Sequence, residues 1–192
     1  MKYNFKTSHK KIIADMLTPV SIYLRLRAKY KNCILLESSD YHGDEHNFSY
    51  ICFQPIAGFK VESDKFIINL PDRNSEIISL KENKLCDLIS DFISKFSNFS
   101  YSELPIITNG LFGYMTYDVV QYFEDIQLNK PAPAIPIAQY FCYQYIIAFN
   151  HFNQELFIIK NEIEQVTNDT STLDDIESFI KYKPLQLDTF AC

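Results

Sequence analysis

Apolar residues recur along this chain with two periods, and the periods divide it into elements. Thr18-Pro19 is a helix start. The threonine side chain can accept from orphan backbone N–H groups, and proline sits where no donor is needed. From Pro19 to Tyr30, Ile22, Tyr23, Leu26 and Tyr30 fall on one side of a helix, with Arg25 and Lys29 away from them. Cys33-Ile34-Leu35-Leu36 is a short unbroken apolar run, which predicts a strand buried on both faces. Glu37-Ser38-Ser39-Asp40 ends it, and Tyr41 to Asn47 reads as polar loop. Phe48 to Phe53 is strand-like until Pro55 breaks it. Residues 57–61 and 65–69 predict a hairpin turning at Glu62-Ser63-Asp64, and Pro71 to Ser75 a loop.

The clearest helix is Lys84 to Phe96, with Leu85, Leu88, Ile89, Phe92, Ile93 and Phe96 at helical spacing. Gly110-Leu111-Phe112-Gly113-Tyr114 has the pattern of a strand that other backbone approaches closely. Tyr117 to Phe123 predicts a short helix. Pro131, Pro133 and Pro136 mark an extended connection. Ile137 to Phe149, a turn at Asn150 to Asn153, and Glu155 to Lys160 predict a long hairpin. Asn168 to Ser171 offers caps to a last helix with Leu173, Ile176, Phe179 and Ile180 inward. Strands outnumber helices and come in adjacent pairs, so the fold class is α+β with a largely antiparallel sheet.

Composition narrows the picture. The 192 residues suit one domain, and 47% of them are apolar, enough for a packed core. The formal charge of -6 argues against a nucleic-acid partner, and the basic stretch Arg25, Arg27, Lys29, Lys31 reads as a solvated helix face. No apolar run is long enough to cross a membrane, and the polar, basic Met1 to Lys11 does not read as a secretory signal. Five widely spaced cysteines, mostly inside apolar segments, fit no zinc or disulfide framework, so a cytoplasmic setting is expected.

Candidate chemistry is sparse. His42 and His46 flank Gly43-Asp44-Glu45, but the glycine and the polar run favour a solvated loop over a metal site. His151 reads as an exposed turn residue. There is no phosphate-cradling glycine loop and no nucleophile elbow. No catalytic or metal-binding residue is assigned, and the chain reads as a binding or regulatory domain.

Four stretches then agree in order and spacing with one family. Leu35-Leu36-Glu37-Ser38 follows a first helix that begins Thr-Pro. Asn47-Phe48-Ser49-Tyr50-Ile51 runs to Pro55. Gly110 to Asp118 reads GLFGYMTYD, with Glu124 following. Pro131 to Pro136 leads through Ala138-Gln139-Tyr140-Phe141 to Phe149-Asn150-His151. Together they resemble the N-terminal region of anthranilate synthase component I, the large subunit, although Asn109 stands where the family usually has glycine.

The resemblance implies that residues 1–192 form an N-terminal regulatory domain. The C-terminal chorismate-binding catalytic domain, with its acid-base groups and its magnesium-holding glutamates, is then absent from this chain. The whole enzyme would convert chorismate, with ammonia delivered from glutamine by an amidotransferase subunit, to anthranilate and pyruvate, and tryptophan would inhibit it. The resemblance further places inhibitory tryptophan against Leu36, Glu37 and Ser38. Glu37 can pair with an ammonium and a serine hydroxyl can donate or accept. Adjacent strand residues face opposite ways, so Glu37 and Ser38 can share a ligand only where the strand ends or bulges. Two alternatives stay open: the N-terminal part of aminodeoxychorismate synthase component I, and a free-standing small-molecule binding module.

Overall fold

A computed structural model describes residues 2–37, 47–97, 104, 106–126, 134–164, 166 and 169–184. In chain order the elements are β1 (Tyr3–Ile13), α1 (Pro19–Arg27), β2 (Ile34–Leu36), β3 (Phe48–Glu62), β4 (Lys65–Asn69) and β5 (Ser75–Ser79). Then come α2 (Leu85–Ser94), β6 (Phe96–Ser97), β7 (Phe112–Met115), a 3₁₀ turn (Tyr117–Tyr122), β8 (Ala138–Asn150), β9 (Glu155–Ile163) and α3 (Leu173–Tyr182). The strand order is β5-β4-β3-β8-β9-β1-β6, with β2 also on β3 and β7 also on β8. Every pairing is antiparallel except β1 with β6, so the α+β, largely antiparallel expectation holds.

The spine is the pair β3 and β8, joined from Phe48↔Asn150 to Val61↔Ala138. Each spine strand divides its outer edge between two partners. On β3, residues 50–52 pair with β2 and residues 58–62 with β4. On β8, residues 138–141 pair with β7 and residues 145–149 with β9. Pro55 does not break β3, contrary to the expectation. The ladder shifts register between Pro55 and Ala57, and Gln54 sits at φ 60. A bulge is where a residue without an N–H does least harm, so the strand bends and continues.

Both expected hairpins form. The β3–β4 turn holds Ser63 and Asp64 at φ 50 and 59, the left-handed pair that a two-residue turn requires when it must match strand twist. In the β8–β9 turn, Asn150 Oδ1 accepts from the backbone N–H of Phe152 at 2.8 Å and of Asn153 at 3.3 Å. Three strands were not foreseen: β6, whose Phe96 was expected to end the helix, β5 and β1. β5 begins where loop was expected, and β1 occupies the stretch read only as a polar, basic terminus. β1 buries Tyr3 and Phe5 and then faces mostly solvent. Its ladder to β9, from Phe5↔Ile163 to Ile13↔Glu155, is made of backbone and leaves no apolar periodicity to read.

Three apolar clusters form the core. Ile22 and Leu26 of α1, with Ile176 and Ile180 of α3, cover Ile51, Phe53, Tyr145, Ile147, Leu156 and Ile158. α2 brings Leu85, Leu88 and Phe92 onto Phe59, Val61, Phe66 and Ile68. On the third, Phe48, Cys52, Ile146, Ala148 and Ile159 meet Ile106 and Phe112, the latter from β7. The first helix is capped as its sequence requires, with Thr18 and Ser21 exchanging side-chain to backbone bonds. The last is capped by Thr172 with Asp175, one residue beyond the expected Asn168 to Ser171. Ile93, expected inward on α2, is 40% exposed.

Candidate functional site

β2 and what it touches are the natural place to look, because Leu36, Glu37 and Ser38 lie at its end. The strand pairs Ile34↔Cys52, Leu35↔Ile51 and Leu36↔Tyr50. The expectation of a strand is met, and the expectation of burial on both faces is not. Ile34 and Leu35 are half-buried and Leu36 is 38% exposed. Among the described residues β2 has β3 as its sole ladder partner, so its other edge gains no cover from a neighbouring strand.

The strand ends at Leu36, and Glu37 follows it outside the ladder, exposed. The alternation that sends neighbouring side chains to opposite faces therefore stops one residue before Glu37. Ser38, and the loop with His42 and His46, lie outside the described residues. The structure thus places Leu36 and Glu37 side by side at a strand end.

Directly paired residues of an antiparallel ladder project to one face, so Leu36 stands beside Tyr50. That tyrosine belongs to a row of rings. Its centroid lies 6.2 Å from Phe48 and 6.3 Å from Phe112, and Phe112 lies 6.4 Å from Tyr143. The Tyr50 hydroxyl accepts from the Ile107 N–H at 3.2 Å, which ties the ring to the segment leading into β7. Phe48, Phe112 and Tyr143 are buried, so of this row only the half-buried Tyr50 reaches the surface. Leu36 with Tyr50 leaves a small apolar surface next to the exposed Glu37, suited to a molecule with a flat apolar body and a cationic end. Phe48, Tyr50 and Phe112 sit in two separate sequence motifs. Only the β2–β3 register and the packing of β7 bring them to Leu36.

His151 is an exposed turn residue, as expected, but it is not idle. Its Nε2 lies 2.7 Å from Ser49 Oγ and its ring 5.2 Å from that of Phe149. Ser49 is fully buried, so this contact fastens the turn to β3 and offers no accessible nucleophile. Burial pushes the Cys33 thiol up to about 12 and raises those of Cys52 and Cys142 as well. These thiols stay protonated at neutral pH and behave as small apolar groups. Burial also raises the phenols of Tyr50 and Tyr143. Among the described residues no three His, Cys, Asp or Glu come together to hold a metal, and no helix is long and apolar enough to cross a membrane.

No family model matches the chain. Curated relatives do. Anthranilate synthase component 1 of Lactococcus lactis is 33% identical over 153 residues, 79% of this chain and 32% of that protein. The proteins of the same name from Aquifex aeolicus and Acetivibrio thermocellus are 30% and 26% identical over 68% and 83% of this chain, and 26% and 32% of their own lengths. The chain thus spans about a third of the length of the curated relatives it matches. A solved structure, anthranilate synthase component I from Streptococcus pneumoniae TIGR4, aligns with 89% of this chain and 35% of that one, at a TM-score of 0.44 and 22% identity.

Proposed function

Because this chain belongs with anthranilate synthase component 1 over the 79% of its length that the Lactococcus relative matches, we propose that it is the tryptophan-sensing part of such an enzyme. The observation that carries this reading is the end of β2, where Leu36 stands beside Tyr50 and an exposed Glu37 lies just past the last ladder pair.

Tryptophan brings an ammonium, a carboxylate and an indole. Glu37 pairs with the ammonium, Ser38 bonds one of the polar groups, and Leu36 with the half-buried Tyr50 covers part of the indole. The reaction itself belongs to the rest of the enzyme: chorismate and glutamine-derived ammonia become anthranilate and pyruvate, with an amidotransferase subunit as partner. Magnesium would sit on glutamates outside this chain and would polarise the chorismate carboxylate there. The anthranilate synthase name of the relatives supports this reading over aminodeoxychorismate synthase and over a free-standing module.

In the full-length enzyme, Glu37→Gln is expected to weaken tryptophan inhibition by about ten- to a hundredfold, the worth of one charge-assisted hydrogen bond. Ser38→Phe should do more, because it also intrudes on the site. Catalysis should survive in both, since only the coupling between sites is altered. The measurement is the tryptophan inhibition curve of each variant. Wild-type sensitivity in both would reduce residues 36–38 to a sheet margin.

The chain alone is expected not to turn over chorismate, since its sequence offers no convergent acid-base set. Anthranilate fluorescence with chorismate, magnesium and ammonium should stay at the level of a boiled control. Turnover above it would make the chain an enzyme in its own right.

A further inference from the structure

We propose that the cleft between the β1–α1 turn and the end of α3 binds an amphipathic organic carboxylate, with the Arg25 guanidinium as its anchor. The cleft has a volume of about 400 Å³ and is lined by Ile13, Met16, Leu17 and Tyr182, with Arg25, Lys181 and Asp15 as its charged groups. Neither Leu36, Glu37 nor the aromatic row lines it. Volumes of this order suit a small organic ligand held by apolar walls and a few placed polar groups.

Arg25 carries the inference. Its Nε donates to the Lys183 carbonyl at 2.7 Å and its Nη1 to the Ser21 carbonyl at 3.2 Å, so the fork is fixed against the C-terminal end of α3. Among the described residues Nη2 has no partner, and no carboxylate pairs with this half-buried cation. A guanidinium in a partly desolvated setting ordinarily takes a carboxylate, whose two oxygens match its planar donors. Here the geometry is prepared, and among the described residues no anion is supplied.

Lys181 adds less, because Glu177 holds it at 2.6 Å. Glu177 is also bound by Lys10 at 2.6 Å, so its charge is already taken up. Asp15 has no partner among the described residues and opposes an anion at the cleft. The walls explain the rest of the ligand. Ile13, Met16 and Tyr182 are 68%, 95% and 80% exposed, a concentration of large apolar side chains in water that a ligand body would cover.

The test is a titration of this chain, followed by ¹H–¹⁵N spectra, with 3-phenylpropionate and with its neutral counterpart 3-phenylpropanol. The propionate should give saturable shifts at Ala14, Leu17 and Arg25 Nε, and the alcohol should bind at least about tenfold more weakly. Arg25→Gln should weaken the propionate by about ten- to a hundredfold. Because Arg25 also joins α1 to α3, a second variant is placed on the exposed Met16. Met16→Glu leaves the fold intact and sets a carboxylate at the cleft, so it should weaken the propionate, whereas Asp15→Asn should tighten it. Shifts that do not saturate, equal binding of acid and alcohol, or indifference to Met16→Glu would each overturn the assignment. The residues involved are separate from Leu36 to Ser38, so the outcome is independent of the tryptophan-sensing reading.

Discussion

Replacing Asn161 with leucine is expected to lower the unfolding free energy by about 3–5 kcal/mol, the combined cost of leaving several buried polar groups without partners. Asn161 is 1% exposed in the middle of β9. Its Nδ2 donates to the Thr108 carbonyl at 2.9 Å and the Tyr143 carbonyl at 3.2 Å, and its Oδ1 accepts from the Thr7 hydroxyl at 2.7 Å. One amide thus joins β1, β8 and the segment before β7. Leucine has a similar volume but satisfies none of the three. Thr7→Val removes a single, partly buried bond and should cost about 1 kcal/mol. Urea midpoints of the two variants check this. A loss below about 1 kcal/mol for Asn161→Leu would mean that water replaces the amide and that the node does not bind the three elements.

The second large effect is steric. At Gly113 an added Cβ would stand 1.9 Å from the Gln139 carbonyl oxygen and 2.7 Å from Tyr140 Cα, both backbone atoms of β8. Backbone within a ladder cannot yield as the end of a side chain can. Gly113→Ala is therefore expected to detach β7 from β8 or to cost about 3 kcal/mol or more, at the upper end for overpacking. Gly110→Ala is the control. Nothing lies within 4 Å of its added Cβ, but its φ of 131 is a conformation reserved for glycine, so a smaller cost of about 1–3 kcal/mol is expected. Thermal melts would rank them. Equal losses at the two positions would show that backbone conformation, not the contact with β8, sets the value of Gly113.

The two glycines show what was legible in the sequence. A pair of glycines in an apolar run signalled a strand approached closely by other backbone, and at Gly113 that approach is real. At Gly110 the reason is φ alone. Helices and hairpins were legible because their apolar periods report a buried face directly. β1 was not, because a strand whose side chains mostly meet water is specified by its neighbour's backbone. The burial of β2 was overestimated for the opposite reason: a short apolar run looks the same at a sheet margin as in its centre. Likewise Pro55 signalled a break, and only the register between β3 and β8 shows that a bulge absorbs it.

The candidate site was legible as a run of residues and not as a place. Leu36 and Glu37 could be named from the chain. That they lie beside Tyr50, with Phe112 next along the row, depends on pairings between residues far apart in sequence. The Arg25 cleft was less visible still. Arg25 read as one of four solvated cations on a helix, and its distinction arises from the carbonyl of Lys183, which the fold brings to it.

The β1–β9 ladder has a consequence for how the chain is made. Tyr3 to Ile13 leave the ribosome long before the strand that receives them, which ends at Ile163. Until then most of β1 is an unpaired ribbon, and β9 must emerge before the two can zip. Closing so long a loop is slow and exposes strand edges while it waits. The lysines and the serine, threonine and histidine of β1 make that wait tolerable, since a polar ribbon is a poor template for aggregation. The feature that hid β1 from the sequence reading is the same one that keeps the nascent chain out of trouble until its partner arrives.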